Sequence, residues 1–172
     1  MEKIEKIKVL TGVRVAQTAG IAQVVFSFLG FVEQNKKANI NVVAVDIKNG
    51  EKDIYRKSVR KNTSIISITT KVPPIGEVVK LAKNIDQVKA VYEPVISAYQ
   101  KAIKQENPDL ILINGTFFMP WCLLIAAERE NIPAVLHYHG VLTKEVSHWP
   151  ALQRKIFLDM EKTFDKKTLF YI

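Results

Sequence analysis

The feature that most constrains this sequence is the alternation of short apolar runs with longer segments of helical periodicity. Five runs are apolar and rich in β-branched residues: 7–10, 40–47, 64–69, 110–113 and 133–138. Strands that are covered on both faces carry such nearly continuous apolar runs. The alternation therefore predicts an α/β fold, with a Rossmann-like parallel sheet and helices on both of its faces.

The segments between these runs predict the crossover helices. After Gly20, apolar side chains recur at helical spacing as far as Val32. Further helices are predicted over residues 77–105, where Pro94 either kinks the helix or opens a second one, from Pro120 to residue 130, and between residues 150 and 162. Residues 49–62 show little apolar periodicity, Thr11 and Gly12 are expected to leave the first strand as a loop, and residues 168–172 are strand-like.

Length and composition favour one ordinary globular domain. The chain has 172 residues, of which 48% are hydrophobic and 24% charged, so residues 1–172 are interpreted as a single Rossmann-like domain. The longest apolar stretch, from Phe117 to Ala127, is interrupted by Pro120 and is shorter than the roughly 20 residues that cross a bilayer. Its first residues, 117–121, are loop-like and are expected to pack in the core, with an acceptor groove or a membrane surface as the alternatives. With one cysteine, Cys122, and no signal-peptide pattern at the start, a cytoplasmic location is expected.

The formal net charge of +8 favours acidic partners without choosing among phosphates, anionic lipids and nucleic acid. Basic residues are concentrated in residues 48–61 and 144–167. These clusters are either solvated faces or, if they share one face, a surface for peripheral contact with the inner side of a membrane. No nucleic-acid partner is predicted, because the basic residues are not interleaved with aromatic ones and no nucleic-acid motif is present.

Three loops are candidates for a ligand site. Ligands bind parallel sheets beyond the carboxyl ends of the strands, so the loops after Leu10, Ile113 and Tyr138 should converge on one crevice. In the first loop, Gly20 precedes a helix whose N-terminal N–H groups would suit a phosphate, although a plain loop glycine is the alternative, since no G-x-G-x-x-G fingerprint occurs. In the second loop, Asn114 and Gly115 offer a polar side chain and a flexible backbone position.

The third loop contains a pair of histidines. His137 and His139 share one face of the predicted strand, and His139 stands at its carboxyl end beside Gly140. A histidine there can donate a hydrogen bond to a sugar hydroxyl or balance charge, and a buried imidazole with its hydrogen bonds satisfied is the alternative. No metal and no cofactor are predicted, because the histidines and the cysteine lack metal-ligand spacing. No G-x-S-x-G motif suggests a serine hydrolase either.

Three segments together resemble the amino-terminal domain of the group 1 retaining glycosyltransferases, which have the GT-B fold: Gly20–Val25, Asn107–Gly115 and Ile132–Gly140. The resemblance implies one half of a two-domain enzyme that transfers a sugar from a nucleotide-sugar donor with retention of configuration. It places His139 against the donor sugar, with Gly140 permitting the turn. Where the family often has two adjacent glycines near the phosphates, this chain has Ala19 followed by Gly20.

The resemblance also implies what the chain should lack. In the family, a carboxy-terminal domain with an E-x7-E pair holds most of the donor, and we expect that domain to lie outside this chain. The chain alone is therefore expected to be inactive, with the nucleotide-sugar as a substrate and a glycan or lipid-linked molecule as the acceptor. The alternative is a stand-alone module that binds a nucleotide or phosphate and performs no catalysis.

Overall fold

The structure is a computed structural model, and it describes residues 6–15, 20–35, 39–51, 54–138, 144, 146–168 and 170–171. The strands are β1 (Ile7–Val13), β2 (Ile40–Asn49), β3 (Ile54–Val59), β4 (Thr63–Thr70), β5 (Leu110–Asn114), β6 (Ala134–His137) and β7 (Phe170–Tyr171). The helices are α1 (Ile21–Gln34), α2 (Ile75–Leu81), α3 (Ile85–Val91), α4 (Glu93–Glu106), α5 (Phe118–Arg129) and α6 (Ala151–Lys167).

The described strands form one sheet in the order β3-β4-β2-β1-β5-β6-β7. Every neighbouring pair is parallel except β3 with β4, which is antiparallel. The predicted α/β class and the Rossmann-like sheet are confirmed. One edge was not anticipated: residues 54–59, which show little apolar periodicity, add an antiparallel edge strand to the otherwise parallel sheet.

Helices cover both faces of the sheet, as predicted. On one face, α1 packs Val25, Leu29 and Val32 against alternate residues of β1 and β2. On the other face, α4 and α5 enclose the larger core, in which Tyr99 and Trp121 are among the largest buried side chains. The face that α1 covers is called the α1 face below.

The edge strand β3 is held by a buried carboxylate. Glu106, at the end of α4 and only 6% exposed, accepts hydrogen bonds from Lys57 Nζ on β3 at 2.6 and 2.7 Å. Tyr55 of β3 donates to the same carboxylate at 3.4 Å, and Lys8 of β1 lies 4.0 Å from it. Lysines on an edge strand also discourage pairing with other chains. Because these hydrogen bonds and its pairing with β4 hold β3 at the sheet edge, the strand does not require alternating apolar side chains.

Local signals explain where the helices between β4 and β5 begin and end. The expected helix over residues 77–105 is three helices, and Pro94 lies in the first turn of the last, α4. The side chain of Asn84 caps α3 by accepting from Gln87 N at 3.0 Å. Asn107 ends α4 in the left-handed conformation, with φ 45°.

Two further sequence expectations are corrected at the ends of elements. Thr11 and Gly12 do not form a loop, because β1 continues through them to Val13. The apolar segment that starts at Phe117 is not a loop either, since α5 begins at Phe118. Phe118 is 0% and Trp121 2% exposed, so core packing, rather than an acceptor groove or a membrane contact, accounts for these side chains.

Candidate functional site

The strand order reverses direction between β1 and β5. The chain moves from β1 outward to β2 and β4, and later returns to β5 on the other side of β1. In open parallel sheets, ligands bind at such a switch point, outside the carboxyl ends of the strands. The carboxyl edge beside β1 and β5 is therefore the first place to look for a site.

At this edge the α1 face changes from apolar to polar. Toward the amino ends of the strands, this face presents Val9, Val42 and Leu110. Toward the carboxyl ends, it presents, beside the apolar Val13 of β1, a polar row across four adjacent strands: Asp46 of β2, Thr11 of β1, Asn114 of β5 and His137 of β6. Strand registers place these side chains on one face, because Thr11 pairs with Leu112 and Asn114 pairs with His137.

Hydrogen bonds join three members of the polar row across the switch point. Asn114 Nδ2 donates to Thr11 Oγ1 at 2.9 Å, and Asn114 Oδ1 lies 3.2 Å from His137 Nδ1. The backbone adds a tie at the same level, since Gly115 N donates to His137 O at 3.0 Å. Thr11 is 0% and Asn114 6% exposed, so water does not compete strongly for these bonds.

Asp46 anchors the loop that follows β1. Its side chain is buried, and Oδ1 accepts a hydrogen bond from Val15 N at 3.2 Å. Within the described part of the chain, Oδ2 has no hydrogen-bond partner and lies 3.7 Å from Lys48 Nζ, whose side chain is half exposed. A buried carboxylate at this position fixes the start of the loop that leads to Gly20.

Gly20 forms the N-cap of α1 at the same edge. Its backbone has φ 64° and ψ −135°, which residues with a side chain rarely adopt, and a Cβ there would meet no atom within 4 Å. Among the described residues no side chain caps the helix, and its first turn contains no acidic residue. The N–H groups and the positive end of the helix dipole thus remain suited to an anion, which is the arrangement the sequence predicts.

The opposite side of the crevice floor is apolar and neutral. Tyr99 of α4 lies under β1, and a Cβ added at Gly12 would come within 3.2 Å of the Tyr99 hydroxyl. Burial, and then the proximity of Cys122, raises the pKa of Tyr99, so the phenol stays protonated. A glycine at position 12 is therefore explained by the close packing of β1 against α4.

The structure describes three of the six predicted site residues. Asn114 lies in the polar row with its side chain engaged, and Gly115 has φ 80° with its N–H directed to β6. Together with Gly20 they lie at the carboxyl edge, and their contact with substrate stays a prediction. Ala19, His139 and Gly140 lie outside the described residues, so their predicted roles are untested.

Sequence reasoning missed Thr11, Asp46 and His137 as site residues. Asp46 and His137 are the polar residues that end an apolar alternation, as in Val42, Ala44, Asp46 along β2, whereas Thr11 interrupts one between Val9 and Val13. That signal is visible in the sequence. What it cannot show is that Thr11 and Asn114, 103 residues apart, become neighbours. Elsewhere, among the described residues, no group of three or more His, Cys, Asp or Glu side chains could hold a metal ion.

One protein family matches this chain. The family described as Glycosyltransferase Family 4 matches residues 77–169, which is more than half of the chain and includes β5, α5 and β6. No curated protein sequence gives a significant match.

Solved structures with the same fold match nearly the whole chain. A putative UDP-N-acetylglucosamine 2-epimerase from Listeria monocytogenes has a TM-score of 0.57 at 12% identity, over 97% of this chain and 39% of its own. An E. coli structure described as trehalose-6-phosphate bound with UDP-2-fluoro glucose has a TM-score of 0.57 at 12% identity, over 92% and 38%. S. aureus MnaA in complex with UDP has a TM-score of 0.51 at 12% identity, over 96% and 37%.

At these identities the likeness shows the fold alone. The chain spans about two fifths of the length of the solved proteins that it matches.

Proposed function

Because this chain belongs to Glycosyltransferase Family 4, we propose that the complete protein transfers a sugar from a nucleotide-sugar donor to an acceptor, with retention of anomeric configuration. In this proposal the chain is the amino-terminal, acceptor-side half of a GT-B enzyme of group 1. A second domain holds most of the donor, and this chain alone is inactive. The observation that carries the proposal is the family match, which spans the strand ends of β5 and β6 at the switch point.

Physical chemistry explains why half of such a cleft is insufficient. Transfer generates a departing nucleoside diphosphate and an oxocarbenium-like sugar, and both charges need preorganised groups that surround them. The described residues supply one wall, with the uncapped start of α1 at Gly20 for negative charge and the polar row for hydroxyl groups. Cations and hydrogen-bond donors for the leaving group must come from a facing wall.

Within this wall, we assign His139 to contact with the donor sugar, as its resemblance to the family's histidine implies. Ala19 and Gly20 are placed near phosphate or acceptor, and Asn114, Gly115 and Gly140 line the same crevice. No metal or cofactor is required, because the nucleotide-sugar is itself the activated substrate. Two of the matched structures are described with UDP or a UDP-sugar, so UDP-sugars are the first donors to test.

The test is sugar transfer by the complete protein with His139→Ala and a matched histidine control. His148 is exposed and lies in the turn before α6, so His148→Ala controls for the loss of an imidazole. We expect nucleoside diphosphate release to fall at least 100-fold in His139→Ala and to stay unchanged in His148→Ala, in line with the roughly 10²–10⁴-fold worth of a positioned catalytic group. Equal turnover in both variants would remove His139 from the mechanism.

A stand-alone nucleotide- or phosphate-binding module is the second candidate function. The observation in its favour is the start of α1, where no side chain in the described part of the chain caps the helix and the first turn has no acidic residue. Calorimetry with UDP and with UDP-glucose on this chain separates the two. Binding of both ligands by this chain, without any transfer by the complete protein, would favour the module.

The acceptor is proposed to be a glycan or a lipid-linked molecule that the protein meets in the cytoplasm. No helix in the described ranges is long and apolar enough to cross a membrane. The basic residues of 48–61 that the structure describes lie on β2, β3 and the adjoining turns. Those of 144–167 belong mainly to α6, which precedes β7 at the other edge of the sheet. Since the two clusters do not share an edge, peripheral membrane contact would use α6 alone, where Leu152 and Leu158 are exposed. Salt-dependent pelleting with anionic liposomes tests that contact.

A further inference from the structure

An apolar groove of about 690 Å³ lies beside the carboxyl end of β4, on the side of the sheet opposite the α1 face. The walls of this groove are α2, α3 and the first turn of α4, and its apolar lining includes Pro74, Val78, Leu81, Ala82, Val91 and Pro94. Leu81 is 79% and Val91 46% exposed, so apolar surface is left uncovered among the described residues. Apolar surface of this kind marks a binding groove.

Hydrogen bonds fix the groove at both of its ends. At one end, the Tyr92 hydroxyl donates to Pro73 O at 3.3 Å. At the other end, Lys83 N donates to Gln87 Oε1 at 2.7 Å. The seven residues of α2 span about 10 Å between these two ties. An apolar chain would therefore enter a preformed groove, as small ligands usually do.

Two cations lie at the end of the groove nearest the sheet. Lys71 lines the groove and directly follows β4. Arg14 directly follows β1, and its charge reaches the Tyr92 hydroxyl: burial, and then Cys122, raises the pKa of Tyr92, whereas Arg14 opposes this rise. Because the same hydroxyl donates to Pro73 O, Arg14 lies near the Lys71 end of the groove.

The charge at this end of the groove is positive. Arg14 and Lys71 are exposed, and among the described residues no carboxylate forms an ion pair with either. Glu77, in the first turn of α2, is the one carboxylate among the described residues that line the groove. Two cations against one carboxylate favour an anionic group at the mouth of the groove.

We propose that the groove binds the hydrocarbon chain of a lipid phosphate, that Arg14 and Lys71 bind its phosphate, and that the acceptor of the proposed sugar transfer belongs to this chemical class. The assignment as acceptor rests on the proposed function, whereas the binding of a lipid phosphate does not. In this orientation the phosphate lies at the carboxyl edge, where the candidate site is. Helix α6, with Leu152 and Leu158 exposed, packs against α2 and α3, so membrane contact through α6 would bring the groove to its lipid.

The experiment is calorimetry of the complete protein with hexyl, octyl and decyl phosphate, each below the concentration at which it forms micelles. We expect the affinity to increase by up to about fourfold per added methylene group, which is the value of burying it. Leu81→Ser combined with Val91→Ser should reduce this increase. Arg14→Gln and Lys71→Gln should each lower every affinity about tenfold and leave the increase per methylene unchanged.

Matched variants and ligands control for general effects of charge and exposed apolar surface. Lys80→Gln removes an exposed cation of α2 that is not among the lining residues, and Val59→Ser removes a side chain that is 69% exposed on β3. Both should bind like wild type. Glu77→Gln should bind the alkyl phosphates more tightly, because it removes a like charge. Decyltrimethylammonium, with the same chain and a positive head group, should bind wild type at least tenfold more weakly than decyl phosphate.

Several results would overturn the proposal. Equal affinity for decyl phosphate and decyltrimethylammonium, or an affinity that does not change with chain length, means that the groove binds no lipid phosphate. An unchanged increase per methylene in the combined Leu81 and Val91 variant has the same meaning. If that variant does not fold, Leu81→Ser alone should still reduce the increase, because Leu81 is the more exposed side chain. Equal losses in Lys80→Gln and Lys71→Gln would remove Lys71 from the site.

Transfer by the complete protein distinguishes this inference from the proposed function. Absence of transfer in wild type, with alkyl phosphates bound as expected, refutes the proposed function and leaves the lipid-phosphate site standing. Transfer only to acceptors without a lipid phosphate, at the same rate in Arg14→Gln, would refute the assignment as acceptor. Binding of anionic vesicles with the same losses in the variants, and no transfer to a lipid phosphate, would also refute that assignment in favour of membrane docking.

Discussion

Gly20→Ala should destabilise the protein through backbone strain alone. Gly20 has φ 64° and ψ −135° at the start of α1, and a Cβ there would meet no atom within 4 Å. The added methyl group therefore clashes with no other described residue. What it opposes is the conformation itself, which residues with a Cβ rarely adopt, at a cost of about 1–3 kcal/mol.

The same helix offers a control with the opposite sign. Gly30 lies inside α1, and a Cβ at Gly30 also meets no atom within 4 Å. Its backbone is helical, so Gly30→Ala should stabilise the protein by about 0.5–1 kcal/mol, because alanine loses less backbone entropy in a helix. The two variants should thus differ from each other by about 1.5–4 kcal/mol.

Urea denaturation followed by circular dichroism measures both changes. Thermal midpoints should move in opposite directions, by about 2–4 °C per kcal/mol for a domain of this size. If Gly20→Ala were as stable as wild type, the positive φ at the start of α1 would be refuted. The same result would refute the argument that a glycine is required at the anion-binding end of α1.

Three further predictions concern charge and burial. Glu33 accepts hydrogen bonds from Asn62 N, from Thr63 and from Lys61, and these bonds lower its pKa. The stability that the ionised carboxylate gives the folded protein is therefore present at neutral pH and is lost as pH falls through the folded pKa. Glu33→Gln should then be less stable than wild type at pH 7 in urea denaturation, and the difference should shrink as pH falls below the usual range of a glutamate. Glu51→Gln, which removes an exposed carboxylate, is the control. Lys57→Met should lower the free energy of unfolding by about 1–3 kcal/mol in the same assay, because it leaves the Glu106 carboxylate without its cation. The loss is smaller than for a fully buried pair, since the Lys57 side chain is 34% exposed. Adding Glu106→Gln should recover part of that stability. Burial raises the pKa of the Cys122 thiol, so a thiol reagent should label it only as fast as the protein unfolds, and rapid labelling of the native protein would contradict that burial.

Local patterns were sufficient for most of the fold. Continuous apolar runs mark β2, β5 and β6 because both faces of these strands are covered. The helical period after Gly20 marks α1, and Asn131, a residue type that tolerates the left-handed conformation, follows the end of α5 with φ 55°. In each case the local preference and the final packing agree.

The missed elements are those in which long-range contacts decide. Along β3 most side chains are exposed, and the strand is held by pairing with β4 and by Glu106. Neither interaction leaves a periodic trace within residues 54–59. The division between α2 and α3 was missed for another reason, since the cap at Asn84 is a short signal inside a longer apolar stripe. The start of α4 was one of the two alternatives that Pro94 offered.

The candidate site could be predicted only in part, because some of its contacts join distant segments of the chain. Gly20, Asn114 and Gly115 were identified because they follow predicted strands or precede a predicted helix. Thr11 was not, because it becomes a partner of Asn114 only when β1 and β5 are neighbours in the sheet. Strand order is a property of the whole chain, and no local segment encodes it.

The most direct test of the central claim is the anomeric configuration of a product made by the complete protein. The protein is incubated with UDP-glucose and other nucleotide-sugars and a panel of glycan and lipid-linked acceptors, and the new glycosidic bond is examined by proton NMR. We predict consumption of one donor and a product with the anomeric configuration of that donor. A product of inverted configuration, or no transfer from any donor while the folded protein still binds UDP, would contradict the assignment of this chain to a retaining glycosyltransferase.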